Sequence, residues 1–209
     1  MEGYESEKEQ VEAIKKWWKA NGNSIIVGIV LGAALMLGGR WWFANQDKQA
    51  ELASDQYAAV LQEINKGDTD AALKRGGSVL EVFAKSNYAA LTALELAKLK
   101  VNKADLEGAR YYLQWVVDHT SSAPLKDVAR LRLARVLLAK GDKAGALQAV
   151  DAVDVKAFAL PTQELKGDIL LAKGSRDEAR AAYSAAADAV PKGGDRSRIE
   201  MKLAEVGGK

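Results

Sequence analysis

Residues 164–191 read ELKGDILLAKGSRDEARAAYSAAADAVP and contain the clearest helix–turn–helix pattern of the chain. The small residue Gly167 stands seven residues before Gly174, and Ala179 stands five residues after it. Glycine adopts backbone angles that other residues resist, so Gly174 suits a tight turn. The small residues on either side of the turn allow paired helices to approach each other closely. The spacing therefore predicts two packed helices joined at Gly174.

The same pattern recurs three times upstream. Its turn centres, Gly67, Ala104, Gly141 and Gly174, are 37, 37 and 33 residues apart. An aspartate follows each of the first three centres and predicts a cap for the next helix, because its side chain accepts a backbone N–H bond there. An alanine stands five residues after each centre, and three of the four residues seven before the centres are small. These positions are Ala72, Ala109, Ala146 and Ala179 after the turn, and Val60, Ala97, Ala134 and Gly167 before it.

This pattern resembles the tetratricopeptide repeat, a helix–turn–helix unit of about 34 residues. In that family a proline ends each unit, and Pro124, Pro161 and Pro191 follow the repeat pattern here. The first copy departs from the pattern with Gly76, where a large residue is usual. The resemblance covers about residues 52–191. A single unit cannot bury its apolar face alone, so neighbouring units are expected to stack.

An uncharged run of 20 residues, 20–39, precedes the repeats. As a helix it is roughly 30 Å long, about the hydrocarbon thickness of a bilayer. Tryptophan pairs flank it at Trp17–Trp18 and Trp41–Trp42, and indole side chains prefer the headgroup level. The run therefore predicts one transmembrane helix over residues 20–44. A cleaved signal peptide and a buried core helix remain as alternatives.

Basic residues near the two ends of the run predict its orientation. Four lysines precede it, whereas Arg40 and Lys48 follow it. Because basic flanks tend to remain in the cytoplasm, we expect residues 1–19 to form a cytoplasmic tail and residues 45–209 to lie outside the cytoplasm. The four lysines are Lys8, Lys15, Lys16 and Lys19.

Gly28 and Gly32 have the G-x-x-x-G spacing within the run. This spacing places two bare backbone patches on one helix face and predicts contact with another membrane helix. The alternative is that glycine is simply common in membrane helices.

The segment after the repeats predicts one more helix. Ile199, Leu203 and Val206 share a face at helical spacing, as a capping helix requires. The predicted fold is therefore all-α. It comprises a single N-terminal transmembrane helix and a tetratricopeptide-like α-solenoid of about four helix pairs, closed by a C-terminal capping helix.

The composition argues against an enzyme. The chain has no cysteine, which excludes disulfides, thiolate zinc sites, cysteine nucleophiles and iron–sulfur clusters. His119 is the only histidine, so a two-histidine metal site is excluded, and its expected place is the end of a helix. No phosphate-binding glycine pattern is present. The sequence therefore predicts no cofactor. The net charge of only +2 gives no reason to expect nucleic acid as a partner.

Repeat arrays present a concave groove lined by the first helix of each pair. Within that lining, Lys98, Asn102, Arg132 and Arg135 are candidates to hold a carboxylate or the backbone carbonyls of an extended peptide. An ordinary solvated face is the alternative. The full set of candidate partner-binding residues is Tyr57, Leu94, Lys98, Asn102, Leu131, Arg132 and Arg135.

Two stretches carry a closer resemblance. QVEAIKKWW at residues 10–18 leads through Asn21–Gly22 into the apolar run, which ends in Arg40-Trp41-Trp42; the repeats contain LELA at 94–97 and LRLAR at 131–135. Together they resemble the YfgM family, bacterial inner-membrane proteins with one N-terminal anchor and a periplasmic repeat domain. The resemblance implies an ancillary role at the SecYEG translocon, beside the membrane-anchored periplasmic chaperone PpiD. It carries no catalytic residue.

The sequence and this resemblance together predict a scaffold. Residues 45–209 would lie in the periplasm and bind translocon subunits, a PpiD-like chaperone and possible translocating polypeptides, assisting their hand-over. One alternative is a regulatory module that sequesters a cytoplasmic stress-response factor through residues 1–20. Others are an assembly factor for envelope complexes and an oligomeric scaffold without a client.

Overall fold

The computed structural model describes residues 2–207, leaving aside the side chains of 2–8, 42–45, 47 and 155–157. The expected interfacial position of the Trp42 side chain therefore lies outside the described side chains. Every regular element between residues 2 and 207 is a helix, which confirms the predicted all-α class. The helices are α1 (Glu2–Lys66), α2 (Thr69–Val82), α3 (Asn87–Asn102), α4 (Leu106–His119), α5 (Ala123–Ala139), α6 (Lys143–Asp151), α7 (Val155–Lys173), α8 (Arg176–Asp188) and α9 (Ser197–Gly207).

The chain divides into two compact units, one up to Gln49 and the other from Ala50. The first unit contains Glu9–Trp41, a helical segment with a mean hydropathy of 1.8 that is long and apolar enough to cross a membrane. Only 6% of its most apolar window is buried, unlike the core helix of a soluble domain. An uncovered apolar helix is stable where hydrocarbon surrounds it, because the helix satisfies its own backbone groups.

The second unit is a stack of helix pairs. The part of α1 from Ala50 packs on α2, where Val60 and Val79 share a buried cluster. The next three pairs are α3–α4, α5–α6 and α7–α8. The final helix, α9, packs on α8 through Ile199 and Val206, which are buried with Tyr183. This arrangement confirms the predicted solenoid of four helix pairs with a capping helix.

The four turn centres share one backbone geometry. Gly67, Gly141 and Gly174 have φ angles of 79°, 84° and 90°, and Ala104 has 58°. After each centre, the next N–H donates to a carbonyl of the preceding helix; Asp142 N, for example, lies 2.9 Å from Leu137 O. Such bonds satisfy carbonyls that a helix end leaves without partners. The repeat in the sequence therefore arises because the same helix C-cap occurs at each of the four turns.

The aspartates after the turns cap the following helices, as predicted. Oδ1 of Asp68 accepts the N–H of Ala71 at 2.9 Å, and Asp105 and Asp142 make equivalent bonds at 2.8 Å. Ser175, at the fourth turn, makes no side-chain cap bond. Three of the four turns thus carry a cap worth about 1 kcal/mol each.

The irregular first copy has a packing reason. A Cβ atom on Gly76 would lie 2.6 Å from Leu96 Cδ1, so the branched side chain from α3 occupies the space that a large residue at position 76 would fill. Val60, at the usually small position, is fully buried beside Val79 and Leu96. In the first helix pair, Leu96 of the next pair therefore fills the space that a large residue at position 76 would occupy.

Pro191 follows the end of α8 at Asp188, as predicted, whereas the other two prolines do not end a repeat unit. Pro124 lies in the first turn of α5, where its missing N–H costs nothing. Pro161 lies inside α7, three residues after Phe158, whose φ of −133° and ψ of 36° interrupt the helix. The family expectation for these two prolines is wrong here, because both belong to the opening of the next helix.

Candidate partner-binding groove

A pocket opens between α3, α4 and α5 in the second unit. Its volume is about 280 Å³. Its walls are apolar, and three cationic side chains also line it. The lining residues are Ala97, Val101, Leu106, Leu113, Val136 and Ala139, with Lys98, Arg132 and Arg135.

Helical spacing explains how the chain builds this pocket. On α5, Arg132, Arg135 and Ala139 recur at three- and four-residue intervals, and residues so spaced share one helix face. Lys98 and Val101 have the same relation on α3. Each first helix therefore contributes a mixed stripe of apolar and cationic side chains to the pocket.

The positive charge at the pocket is only partly matched. Arg132 and Arg135 are exposed and make no ion pair within the part of the chain whose side chains are described. Lys98 Nζ lies 3.8 Å from Glu95 Oε2, at the long end of an ion pair. Three cations therefore face a single carboxylate.

Glu107, next to Leu106, does not neutralise these cations. Its carboxylate is held by Lys140, and by Arg110 Nε at 3.0 Å. Hydrogen bonds from Lys140 and then Arg110 lower the pKa of Glu107 below its ordinary value. The carboxylate is already bound to two cations of its own.

The other predicted groove residues lie elsewhere. Leu94 and Leu131 are 4% and 5% exposed and belong to the hydrophobic core, so neither lines the pocket. Asn102 is exposed at the last residue of α3. The ring of Tyr57 is half-buried 6.0 Å from that of Tyr88. Of the seven candidates, the structure thus brings together Lys98, Arg132 and Arg135, and partner binding by all seven stays a prediction.

Sequence reasoning missed the apolar part of the pocket. Val101 is 42% exposed, and this apolar side chain three residues after Lys98 was a usable signal. Leu106 and Leu113 come from α4, the second helix of its pair. A groove lined only by the first helix of each pair does not include these two leucines. Nothing in their local sequence distinguishes them from ordinary core residues.

Among the described residues, no cluster of three or more histidine, cysteine, aspartate or glutamate side chains is placed to hold a metal ion. His119 is the last residue of α4, as expected. Its Nδ1 lies 2.9 Å from Trp115 O, and its ring stacks on Trp115 with centroids 4.4 Å apart. These contacts give it a structural role at the helix end.

Comparison with known proteins identifies the family. The family described as tetratricopeptide repeat-like domain matches residues 15–208. The chain is 37% identical over 188 residues to a protein of Escherichia coli (strain K12) named ancillary SecYEG translocon subunit, covering 88% of this chain and 89% of that protein. This chain belongs to the family of ancillary SecYEG translocon subunits. The resemblance to the YfgM family of ancillary SecYEG translocon subunits is thus confirmed.

Further similarities extend over most of the chain. An ancillary SecYEG translocon subunit of Haemophilus influenzae is 28% identical over 200 residues, which cover 96% of this chain and 95% of that protein. Among solved structures, a crystal structure of nearly identical tetratricopeptide-like repeats, assigned to a Podospora anserina kinesin light chain, has a TM-score of 0.59 at 17% identity. The match covers 76% of this chain and 85% of that chain, and it supports the repeat fold alone.

Proposed function

We propose that this protein is a membrane-anchored scaffold of the Sec translocon and has no catalytic activity of its own. In this proposal residues 1–19 are cytoplasmic, residues 20–44 cross the inner membrane, and residues 45–209 lie in the periplasm. The repeat domain binds SecYEG and a membrane-anchored, PpiD-like chaperone. It thereby assists the hand-over of translocating polypeptides.

One observation carries the proposal. The ancillary SecYEG translocon subunit of Escherichia coli matches this chain over 88% of its length, a span too long for the repeats alone. A shared fold alone would not indicate a shared partner, since repeat arrays host many functions. Similarity that includes both the apolar helix and the repeats supports a common place of action.

The charges flanking the apolar helix support the proposed orientation. Four lysines precede residue 20, whereas Arg40 and Lys48 are the basic residues close to the other end of the apolar run. Basic flanks remain on the cytoplasmic side during insertion. The apolar helix then directs the repeat domain to the opposite side of the membrane.

Two surfaces are available for partners. Lys98, Asn102, Arg132 and Arg135 are exposed on α3 and α5, where they can bind carboxylates and backbone carbonyls; Tyr57, Leu94 and Leu131 would support that surface from their more buried positions. On α1, a Cβ at Gly28 or Gly32 would meet no atom within 4 Å. This bare backbone suits close approach by a second membrane helix.

Photo-crosslinking in intact cells tests the proposal. A photoreactive residue at Asn102 or Arg132 should crosslink to a periplasmic chaperone, and one at Gly28 should crosslink to a membrane subunit of the translocon. Ser184, exposed on α8, is the control for the repeat domain, and Val30, half a turn from Gly28, is the control for α1. The absence of both translocon and chaperone crosslinks would contradict the proposal.

A deletion separates this proposal from the regulatory alternative. A cytoplasmic regulator acting through its tail should lose function when residues 2–12 are removed. A periplasmic scaffold should retain its chaperone crosslinks in the same deletion.

A further inference from the structure

We propose that the pocket between α3, α4 and α5 binds one large apolar side chain of an extended peptide in which an acidic residue stands two positions from that side chain. This deepens the proposed function, because it names the class of segment that the groove selects. It rests on that function only in taking the groove as a binding surface.

The walls of the pocket are apolar and preformed. Leu113, Val136 and Ala97 are buried members of the core, so the pocket is already formed without a ligand. An apolar cavity of about 150 Å³ accepts benzene. The pocket volume of about 280 Å³ therefore accommodates a phenyl ring or a branched aliphatic side chain.

The exposed valine supports an external ligand. Val101 is 42% exposed in the wall of a pocket whose other side chains are apolar, apart from the three cations. Covering this surface with an apolar group removes it from water, which is favourable. A side chain inserted beside Val101 completes a packing layer between α3 and α5.

The cations provide the chemical selection. Arg132 and Arg135 have no acidic partner among the described side chains. Lys98 has one acidic partner, Glu95, at the long distance of 3.8 Å. Guanidinium groups bind carboxylates through paired, charge-assisted hydrogen bonds. A carboxylate two residues from the inserted apolar side chain would supply the missing negative charge.

The two features lie on the same helix faces. Arg132 and Arg135 stand three residues apart on α5, with Ala139 one turn further along the pocket. In an extended peptide every second side chain points to the same side of the backbone, and two such side chains are about 7 Å apart. One residue can then enter the pocket while the acidic residue two positions away lies against the cations at its edge.

A peptide-binding measurement tests this inference on the full chain in lipid nanodiscs. The probe is the peptide GSGFDEGSG with blocked ends and a neutral fluorophore, followed by fluorescence anisotropy. Two matched probes replace the phenylalanine by alanine, or the two acids by their amides. We expect each replacement to weaken binding on the order of tenfold, and added salt to weaken binding of the acidic probe.

Protein variants locate the binding to the pocket. Arg132→Ala and Arg135→Ala should each weaken the parent probe on the order of fivefold, since both side chains are exposed and make no ion pair among the described side chains. Ala139→Trp, at an exposed lining position, should block the pocket while the thermal unfolding temperature stays near that of the wild type. Arg196→Ala removes an exposed arginine far along the sequence and should leave the affinity unchanged.

The outcomes distinguish this inference from the proposed function. Loss of selectivity between the phenylalanine and alanine probes, or between the acid and amide probes, would overturn the inference. No detectable binding of any probe would overturn it as well. Neither result bears on translocon crosslinking through α1, so the scaffold proposal is tested separately.

Discussion

The ring of Tyr183 lies so close over Gly167 that a Cβ atom at Gly167 would come within 2.4 Å of Tyr183 Cε1. The phenol also donates a hydrogen bond to Asp168 Oδ1 at 2.8 Å. Lys202 of α9 reaches the same oxygen at 2.6 Å and Glu164 Oε1 at 3.0 Å. The last helix pair and the capping helix are therefore joined through one aromatic and ionic cluster.

Replacing Gly167 should separate the last helix pair. Gly167→Ala adds a methyl group that the Tyr183 ring must leave room for. Overpacking of this kind typically costs about 1–3 kcal/mol. We expect urea denaturation of the full chain to show a fall in the free energy of unfolding of that size.

A second glycine gives the matched control. Gly77 is an exposed interior residue of α2, and a Cβ there would meet no atom within 4 Å. Gly77→Ala should stabilise the fold by about 0.5–1 kcal/mol, because alanine favours helix more than glycine does. Equal effects of the two substitutions would refute the close packing at Gly167.

The Tyr183 cluster should make stability depend on alkaline pH. Burial, and then the hydrogen bond to Asp168, raise the pKa of Tyr183 above its ordinary value of 10.0. Above that pH the unfolded chain releases the proton while the folded chain retains it, so stability falls as pH rises. Tyr183→Phe should flatten the slope of unfolding free energy against pH by up to about 1.4 kcal/mol per unit.

The pH experiment compares urea denaturation between about pH 9 and pH 11, on either side of the ordinary tyrosine pKa. Tyr111→Phe, at an exposed tyrosine of α4, serves as the control and should keep the slope of the wild type. An unchanged slope in Tyr183→Phe would mean that Tyr183 ionises equally readily in the folded and unfolded chains.

The sequence predicts the turns well because each depends on one or two local residues. Gly141 needs a positive φ, and Asp142 needs only the N–H of Gly145. These requirements are met within a few residues along the chain and repeat with the period. They do not depend on how the helices rotate against their neighbours.

The groove is less predictable because it depends on helix rotation. Leu94 and Lys98 differ by one helical turn, yet Leu94 is buried in the core and Lys98 lines the pocket. A small rotation of α3 decides which of them faces outward. Leu113 lines the pocket from α4. The angle of α4 to α3 and α5 is set by side chains distant in sequence.

The second turn should be strained relative to the other three. Ala104 has a φ of 58°, a left-handed conformation that costs a residue with a Cβ about 1–2 kcal/mol. Ala104→Gly should therefore raise the free energy of unfolding by about 1 kcal/mol or less, offset partly by greater freedom of the unfolded chain.

Gly141 is the counterpart for that experiment. Its φ of 84° places it in the same conformation, and a Cβ there would meet no atom within 4 Å. Gly141→Ala should lower the free energy of unfolding by about 1 kcal/mol through the backbone alone. Changes of opposite sign in the free energy of unfolding would support a turn conformation shared by Ala104 and Gly141. A fall in the free energy of unfolding in Ala104→Gly would contradict it.

Two arginines of α8 should hold the end of the capping helix. Arg176 Nη2 donates to Glu205 O at 3.0 Å, and Arg180 Nη2 donates to Val206 O at 2.9 Å. Arg180→Ala removes a partner of the terminal carbonyls, which a helix cannot satisfy internally. Amide hydrogen exchange in α9 should become faster, on the order of tenfold.

Amide exchange in α3 provides the internal reference for that measurement, since α3 does not pack on α9. Lys173→Ala, at an exposed residue ending α7, is the control variant. If α9 exchanges at the same rate in Arg180→Ala and in the control, these hydrogen bonds do not stabilise the cap.

The most direct test of the scaffold account is the side of the membrane on which the repeats lie. The chain has no cysteine, so Ala13→Cys and Ser184→Cys each introduce a unique thiol, at exposed positions on α1 and α8. A membrane-impermeant maleimide should label Ser184→Cys in intact spheroplasts and Ala13→Cys only after lysis. Labelling of Ala13→Cys in intact spheroplasts, with Ser184→Cys protected until lysis, would contradict the account.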